Sequence, residues 1–183
     1  VLCMSTIDPV VAQAISGKLG AAGIGMVDAP VSGMVKGAVE GTLRAFVGGD
    51  PETLEGCRAV LESMTSEIIH VGSVGQGLTM KLINNTLDKV KWGAAVEGVV
   101  LGVKAGLDPQ MMLDVIGKST GSSPAFLCRA KRMIERDFEG VRLDISYKDI
   151  SLETSLGKSL KVPLLLAYYQ SAAQPAGTAV VNG

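Results

Sequence analysis

Lys81 and Asn85 are the residue pair in this sequence whose types and spacing best suit chemistry. They lie four residues apart in the stretch GQGLTMKLINN, residues 75–85, which opens a predicted long helix. Residues at that spacing share one face of a helix. A lysine can supply charge or a proton, and an amide can fix a hydroxyl or a carboxylate, so the pair suits a small polar substrate. The alternative is an exposed lysine beside two ordinary amides.

A second stretch, DAPVSGMVKGAVEGTL at residues 28–43, places several glycines after a strand that ends in Pro30. The pattern predicts a glycine-rich loop whose backbone N–H groups, together with the hydroxyl of Ser32, could bind a carboxylate or a phosphate. An ordinary surface turn is the alternative. A third stretch, SYKDISLETS at 146–155, carries Lys148 on a predicted helix and is unremarkable when taken alone.

Composition and charge argue against several classes of protein. Lys and Arg number 17 against 18 Asp and Glu, a balance that is not typical of nucleic-acid-binding domains. We find no apolar run approaching about 18 residues and no signal-peptide pattern, so neither a membrane span nor secretion is expected. Three widely spaced cysteines predict a reducing, cytoplasmic setting. A single histidine, His70, argues against a Cys/His metal site, and we expect no metal.

The first part of the chain alternates predicted strands and helices. Asp8-Pro9 and Asp50-Pro51 are typical of helix starts, with the aspartate as cap and the proline in the first turn. Such alternation predicts an α/β domain with a largely parallel sheet. We expect strands at 1–6, 24–30, 43–49 and 66–72, and helices at 7–23 and 50–64.

From Gly75 onward the sequence predicts helices alone. Gly98 and Gly102 in the long helix would allow another helix to pack closely. We place a domain boundary near residue 74, which divides the chain into 1–74 and 75–183. The predicted helices span 75–105, 108–117, 124–136, 145–161 and 163–174.

Common nucleotide and hydrolase motifs do not fit. Two GKS tripeptides, at 117–119 and 157–159, lack the earlier glycine and the preceding strand of a phosphate-binding loop. A strict G-x-G-x-x-G does not occur. His70 lies in a predicted strand and is interpreted as structural rather than as part of a catalytic triad.

Together these stretches resemble the β-hydroxyacid dehydrogenase family, which includes 3-hydroxyisobutyrate dehydrogenase and tartronate semialdehyde reductase and is related to 6-phosphogluconate dehydrogenase. Four segments match in the order of the family's motifs. STIDP is similar to the segment near the nicotinamide, and DAPVSG with the following glycines to the substrate-binding signature. GQGLTMKLINN resembles the helix of the catalytic lysine, and YKDISL the C-terminal motif whose lysine contacts the cofactor.

The resemblance implies a fold and a set of site residues. The fold would be the C-terminal part of a Rossmann-type NAD(P)-binding domain followed by an all-α domain, joined by a long interdomain helix. Lys81 would be catalytic. Substrate contacts would come from Ser32, Gly33 and Asn85, and cofactor contacts from Thr6 and Lys148.

Two departures from the family pattern matter. Met34 stands where the family usually has a second glycine after Ser-Gly, which could reshape the substrate pocket. The family's G-x-G-x-x-G, absent here, belongs near its N-terminus. Two or three βαβ units of about 30 residues would place roughly 60–90 residues before Val1, so we expect the chain to be truncated at its N-terminus.

The predicted function is NAD(P)-dependent transfer of a hydride between a nicotinamide and a short-chain 3-hydroxy acid, or reduction of the corresponding semialdehyde. Lys81 would act as the general acid or base. Two alternatives stay open: a non-catalytic binding protein derived from this family, and a dimerisation module formed by the helices. A homo-oligomer is expected in either case. We expect the residues that choose between NAD and NADP to lie in the missing N-terminal part.

Overall fold

A computed structural model describes residues 1–137 and 143–169 of the protein. Contacts divide the chain into two compact units, Val1–Asn84 and a second that begins at Asn85. The sequence-based boundary near residue 74 stays a prediction. The elements are β1 Leu2–Cys3, α1 Pro9–Gly20, β2 Val27–Asp28, β3 Val31–Ser32, α2 Met34–Glu40, β4 Leu43–Gly49, α3 Pro51–Glu62, β5 Thr65–Gly72, α4 Gln76–Lys104, α5 Pro109–Ile116, α6 Pro124–Glu135 and α7 Leu143–Ser159.

The sheet of the first unit is mixed: the predicted parallel pairings are present, but β4 also makes antiparallel pairings that were not predicted. β1 pairs in parallel with β2, and β4 with β5, but β2 and β3 both pair antiparallel with β4. The pairs Val27–Gly49 and Ser32–Arg44 follow one register, so β2 and β3 are two halves of one strand interrupted near Pro30. The connection to β4 contains only the seven-residue α2. A parallel crossover needs a dozen or more residues, and β4 therefore returns antiparallel.

Residues 34–40, predicted as part of a loop, form the short helix α2. The helix begins after Gly33, at φ 139°, and ends at Gly41, at φ 66°. Glycine adopts both conformations without a steric penalty, so the same residues that suggested a loop delimit a helix. Gly37 lies inside α2, where a Cβ would sit 3.2 Å from the Leu43 side chain. The glycine spacing therefore serves close packing of α2 on β4.

Aliphatic side chains form the core of the first unit. Alternate residues of β4 point inward, as the two-residue period of a strand requires, and pack against α3. A second cluster joins Ala12 of α1 and Leu78 of α4 with Met26. The main cluster contains Val27, Ala29, Ala45, Val47, Leu54 and Leu61.

The Asp-Pro signals identified helix starts correctly. The carboxylates of Asp8, Asp50 and Asp108 accept hydrogen bonds from backbone N–H groups in the first turns of α1, α3 and α5. These predictions depend only on residues close in sequence, and they are confirmed.

The second unit is helical throughout its described part. Ala95 and Val99 of α4 pack with Met112 of α5 and with Phe126 and Ala130 of α6. A Cβ on Gly102 would collide with the Met112 sulfur, whereas a Cβ on Gly98 would meet no atom within 4 Å, so close packing is confirmed at Gly102 only. Of the predicted helix 163–174, residues 165–169 are helical and the rest lies outside the described residues.

No helix within residues 1–137 and 143–169 is both long enough and apolar enough to cross a membrane.

Candidate active site

The start of α4 is held by a carboxylate that comes from the sheet. The backbone N–H of Gly75 donates to Oδ1 of Asp28, and the N–H of Leu78 donates to Oδ2, both at 2.7 Å. Asp28 is the last residue of β2 and its exposed fraction is 0%. A helix N-terminus presents N–H groups without partners in the helix and carries partial positive charge, so it can stabilise a buried carboxylate.

Glycines surround this carboxylate because there is no room for side chains. A Cβ on Gly48 would lie 2.7 Å from Oδ1 of Asp28. A Cβ on Gly77 would lie 2.8 Å from Oδ2 and would also collide with the carbonyl oxygen of Phe46. The glycines that open α4 thus allow the helix backbone to approach β4 and the Asp28 carboxylate.

Of the other predicted site residues in the first unit, Lys81 lies on α4, Ser32 and Gly33 lie at the end of β3, and Thr6 follows β1. Lys81 is half-buried in α4, three residues after Leu78. Ser32 is half-buried at the end of β3, four residues after Asp28, and the exposed Gly33 follows it. Thr6 is half-buried between β1 and α1.

Met34 adopts φ 59°, a left-handed conformation that is costly for most residues other than glycine. This explains physically why glycine would suit that position. Met34 is also exposed, so its side chain extends from the segment that carries Ser32 and Gly33.

In the second unit, one carboxylate lies between Asn85 and Lys148. Nδ2 of Asn85 donates to Oδ2 of Asp149 over 3.0 Å. Nζ of Lys148 lies 3.2 Å from Oδ1 of Asp149, close enough for an ion pair but not aligned as a hydrogen bond. Asp149 is buried, whereas the Lys148 side chain is 52% exposed. The structure therefore brings a predicted substrate residue and a predicted cofactor residue to the same acid.

A buried ion pair lies one helical turn further along both helices. Nζ of Lys89 is 2.5 Å from Oε1 of Glu153, whose exposed fraction is 1%. Oε2 of Glu153 is buried without a hydrogen-bond partner. Burial raises the pKa of the Glu153 carboxyl above its ordinary value, and the charge of Asp149 acts in the same direction. The Lys89 ammonium and the Thr86 hydroxyl oppose this rise in pKa.

A shallow cavity of about 700 Å³ in the first unit is lined by none of the predicted site residues. His70 lies there, and its Nε2 is 2.8 Å from the carbonyl oxygen of Gly49. Gln13 donates to the carbonyl oxygen of Val74 over 3.1 Å. Because these polar groups stabilise the unit itself, we interpret the cavity as a surface depression between packed elements.

Comparison with known proteins accounts for both parts of the chain. Residues 75–179 match a family model described as the NAD-binding domain of NADP-dependent 3-hydroxyisobutyrate dehydrogenase. Residues 1–72 match the model of the NAD binding domain of 6-phosphogluconate dehydrogenase. The chain belongs to the β-hydroxyacid dehydrogenase family.

Named members of this family are similar over most of the chain. A 2-(hydroxymethyl)glutarate dehydrogenase of Eubacterium barkeri is 42% identical over 144 residues, which are 78% of this chain and 48% of the relative. An L-threonate dehydrogenase of Haemophilus influenzae is 34% identical over 169 residues, 91% of this chain and 56% of the relative. The chain thus spans about half the length of the curated relatives it matches.

Solved structures of the family have the same fold. A 3-hydroxyisobutyrate dehydrogenase from Salmonella typhimurium superposes with a TM-score of 0.88 at 30% identity, covering 98% of this chain and 64% of that one. The Mycobacterium tuberculosis 3-hydroxyisobutyrate dehydrogenase solved with L-serine gives 0.86 at 32% identity, covering 97% and 64%. The predicted fold class, a Rossmann-type domain followed by an all-α domain, is confirmed. Both matched models describe NAD-binding domains, in agreement with the predicted cofactor, NAD or NADP.

The sequence pattern assigned no role to four buried charged residues, Asp28, Lys89, Asp149 and Glu153. Asp28 opens the DAPVSG motif, and the glycines at 48, 75 and 77 were a usable signal that a group must approach the backbone closely. Asp149 adjoins Lys148 but appeared unremarkable on its helix. Lys89 and Glu153 lie 64 residues apart and carry no local signal that they would meet.

Proposed function

We propose that the intact gene product is an NAD(P)-dependent dehydrogenase that acts on the CH–OH group of a short-chain 3-hydroxy acid. The observation that carries the proposal is the Asp28 carboxylate, which ties the Ser32–Gly33 segment to the helix of Lys81. The Ser32–Gly33 segment can bind a carboxylate and Lys81 can transfer a proton. Asp28 connects the two. The names of the relatives support a hydroxy acid as substrate.

Lys81 acts as the general base in the oxidation and as the general acid in the reduction. When bound, the nicotinamide would supply the hydride chemistry, as the two-electron acceptor for the hydroxyl-bearing carbon. As that C–H bond breaks and C=O forms, the hydroxyl O–H bond also breaks and its proton passes to the Lys81 amine. In the reverse direction the Lys81 ammonium returns the proton to the carbonyl oxygen of the semialdehyde. An ordinary lysine is protonated at neutral pH, which suits the reverse direction directly.

Ser32, Gly33 and Asn85 would bind the substrate. The Ser32 hydroxyl and the backbone N–H of Gly33 can both donate to a carboxylate. Asn85 uses one N–H on Asp149, which fixes the orientation of its amide. The amide retains a carbonyl oxygen and a second N–H, and these can bind the hydroxyl or carbonyl oxygen at the reacting carbon.

Thr6 and Lys148 are suited to hold NAD or NADP. Thr6 follows the carboxyl end of β1, a strand parallel to β2, and α1 begins three residues later. Strand–turn–helix units of this kind bind dinucleotides at the carboxyl ends of their strands. The half-exposed ammonium of Lys148 can bind a phosphate or a sugar hydroxyl. The donor groups present therefore fit the cofactor.

The assignment of residues 1–74 to the cofactor-binding domain and 75–183 to the helical domain is part of the proposal. Its support is the junction of the two family models, between residues 72 and 75. A cytoplasmic location is supported by three cysteines that are all free thiols.

We also propose a homo-oligomer formed through α4. Leu87 is exposed, and Leu101 has an exposed fraction of 71%. Gly98 lies between them in sequence with open space around it. An apolar, locally flat helix face of this kind is typical of a surface covered by another chain. Size-exclusion chromatography of the intact gene product at several concentrations tests this, and a monomer at all of them contradicts it.

Steady-state turnover of the wild type and of Lys81→Ala tests the catalytic proposal. NAD and NADP are assayed with 3-hydroxyisobutyrate, L-serine, L-threonate and 2-(hydroxymethyl)glutarate. We expect activity with at least one acid and a loss of about 10²- to 10⁴-fold in kcat in Lys81→Ala. Lys91→Ala, an exposed lysine of the same helix, is the matched control and keeps wild-type activity.

Two results would contradict the catalytic proposal. Lys81→Ala retaining most of its turnover would exclude Lys81 as the acid or base. A wild type that neither turns over any acid nor binds either cofactor would favour the non-catalytic binding or dimerisation module.

A further inference from the structure

We propose that Asp28 is a positioning residue for catalysis, acting through α4 on Lys81. Its carboxylate sets where α4 begins relative to the β2–β3 strand, and thereby sets the distance between Lys81 and the Ser32 segment. The inference rests on the proposed function of Lys81 and adds to it a residue that does not touch the substrate.

Asp28 differs from the other aspartates that cap helices. Asp8, Asp50 and Asp108 each precede their helix directly and accept from the first turn of that same helix. Asp28 lies 47 and 50 residues before the two N–H groups it binds. A local cap can only stabilise its own helix, whereas this bond joins two separate segments of the chain.

Both oxygens of Asp28 are used, and this restricts the position of the helix. Each accepts a 2.7 Å bond from a different N–H, three residues apart in sequence. Such a two-point attachment fixes both the translation of the helix start and its rotation about the carboxylate. Because the group is fully buried, solvent cannot replace either bond when the helix shifts.

Close packing removes the remaining freedom. Side chains at Gly48 or Gly77 would overlap the carboxylate oxygens, so α4 rests on β4 with backbone against backbone. Lys81 follows Leu78 by less than one helical turn. A shift of the helix start therefore displaces Lys81 by almost the same distance. A displacement of about 1 Å of a catalytic group can lower the rate by about 10²-fold.

Asp28→Asn is the direct test, because asparagine keeps the shape but replaces one acceptor oxygen by an NH2 group. That NH2 faces a backbone N–H, so one of the two attachments is lost. We expect kcat to fall about 10- to 100-fold while the Kd for the cofactor changes less than about twofold. Asp50→Asn removes a carboxylate cap from α3 in the same unit and is the matched control, with kcat unchanged.

A double-mutant cycle separates positioning from simple loss of folded protein. If Asp28 acts through Lys81, Asp28→Asn changes kcat by less than about twofold in the Lys81→Ala background. A purely structural role would lower kcat by the same factor in both backgrounds and would overturn the proposal. Circular dichroism and thermal unfolding of each variant report whether it is folded.

Asp28→Ser provides the second variant should Asp28→Asn not fold, since its hydroxyl accepts one N–H and leaves room for a water molecule. The same kcat loss and the same cycle are expected for it. Full kcat in a folded Asp28→Asn or Asp28→Ser, with Lys81→Ala inactive, would overturn the positioning role alone. An inactive wild type would overturn both the proposed function and this inference.

Discussion

Asp28 in the first unit and Glu153 in the second are both buried carboxylates, yet different groups stabilise them. Each oxygen of Asp28 accepts a backbone N–H at 2.7 Å, at the positive end of a helix. Glu153 has one oxygen on Lys89 and one with no hydrogen-bond partner. Burial raises the pKa of Glu153, so its charged form is disfavoured in the folded protein.

The difference lies in the donors. Backbone N–H groups are already fixed by the helix, so binding them costs little side-chain entropy. Lys89 must lose its hydration and its rotamer freedom before it can pair with Glu153, and such costs offset much of the attraction in buried ion pairs. We infer that the Asp28 attachment defines the geometry of the candidate site. The Lys89–Glu153 pair should make the stability of the fold depend on pH and on substitution of either partner.

Lys89→Met should have the largest effect on stability. It leaves the Glu153 carboxylate buried without its counter-ion, and removal of one partner of a buried pair typically costs about 3–5 kcal/mol. The free energy of unfolding from urea titrations at pH 7 measures this.

The double variant Lys89→Met/Glu153→Leu is the control for that loss. Because apolar residues can replace a buried pair with little or no cost, we expect it to recover most of the lost stability. Equal losses in the single and double variants would indicate that the pair stabilises the fold strongly, and the contrast with Asp28 would disappear.

Gly77→Ala should have the next largest effect, about 1–3 kcal/mol of destabilisation. The new Cβ would meet the Asp28 carboxylate at 2.8 Å and the Phe46 carbonyl oxygen. The midpoint of urea unfolding reports the loss. If Gly77→Ala is as stable as the wild type, the space around the Asp28 carboxylate can accommodate a Cβ. That result would contradict a geometry fixed by backbone contacts.

Glu153 should make the free energy of unfolding fall as pH rises, by less than the effects of the two preceding substitutions. Its folded pKa is raised above the ordinary 4.5, so the folded state binds this proton more tightly than the unfolded state. The contribution is therefore fully present below the unfolded pKa and is lost as pH rises through the folded pKa. Unfolding free energies of the wild type and Glu153→Gln, measured across that range, should differ in slope. Parallel pH curves would exclude Glu153 as the group responsible.

Gly98→Ala should give the smallest effect, with the opposite sign. It lies on the same helix as Gly77, but its Cβ would meet no atom within 4 Å. Alanine in a helix interior is favoured over glycine by about 1 kcal/mol or less, so a slight gain is expected. Thermal unfolding at low protein concentration measures it. At higher protein concentration a loss is expected, because the proposed oligomer covers this face of α4 and the added Cβ would meet the other chain. A loss already present at low concentration would contradict the open space around Gly98.

Much of the local structure could be predicted. Asp-Pro pairs located the starts of α1, α3 and α5, and the strand predicted at 43–49 has the bounds that the structure gives β4. The antiparallel return of β4 was missed because strand direction depends on which segments pair. The helix α2 was missed because its delimiting glycines are also typical of turns.

Local pattern was sufficient for most of the secondary-structure elements and for the family, since caps, alternation and short motifs involve residues close together along the chain. Lys81, Ser32 and Lys148 could be predicted as site residues for the same reason, and their roles stay predictions. Asp28 as the anchor of α4, and Glu153 as the partner of Lys89, were decided only in three dimensions. Their partners are 47 to 64 residues distant in sequence. The role of a buried carboxylate depends on the hydrogen-bond donors that folding brings next to it. Because these donors are distant in sequence, a local pattern does not predict them.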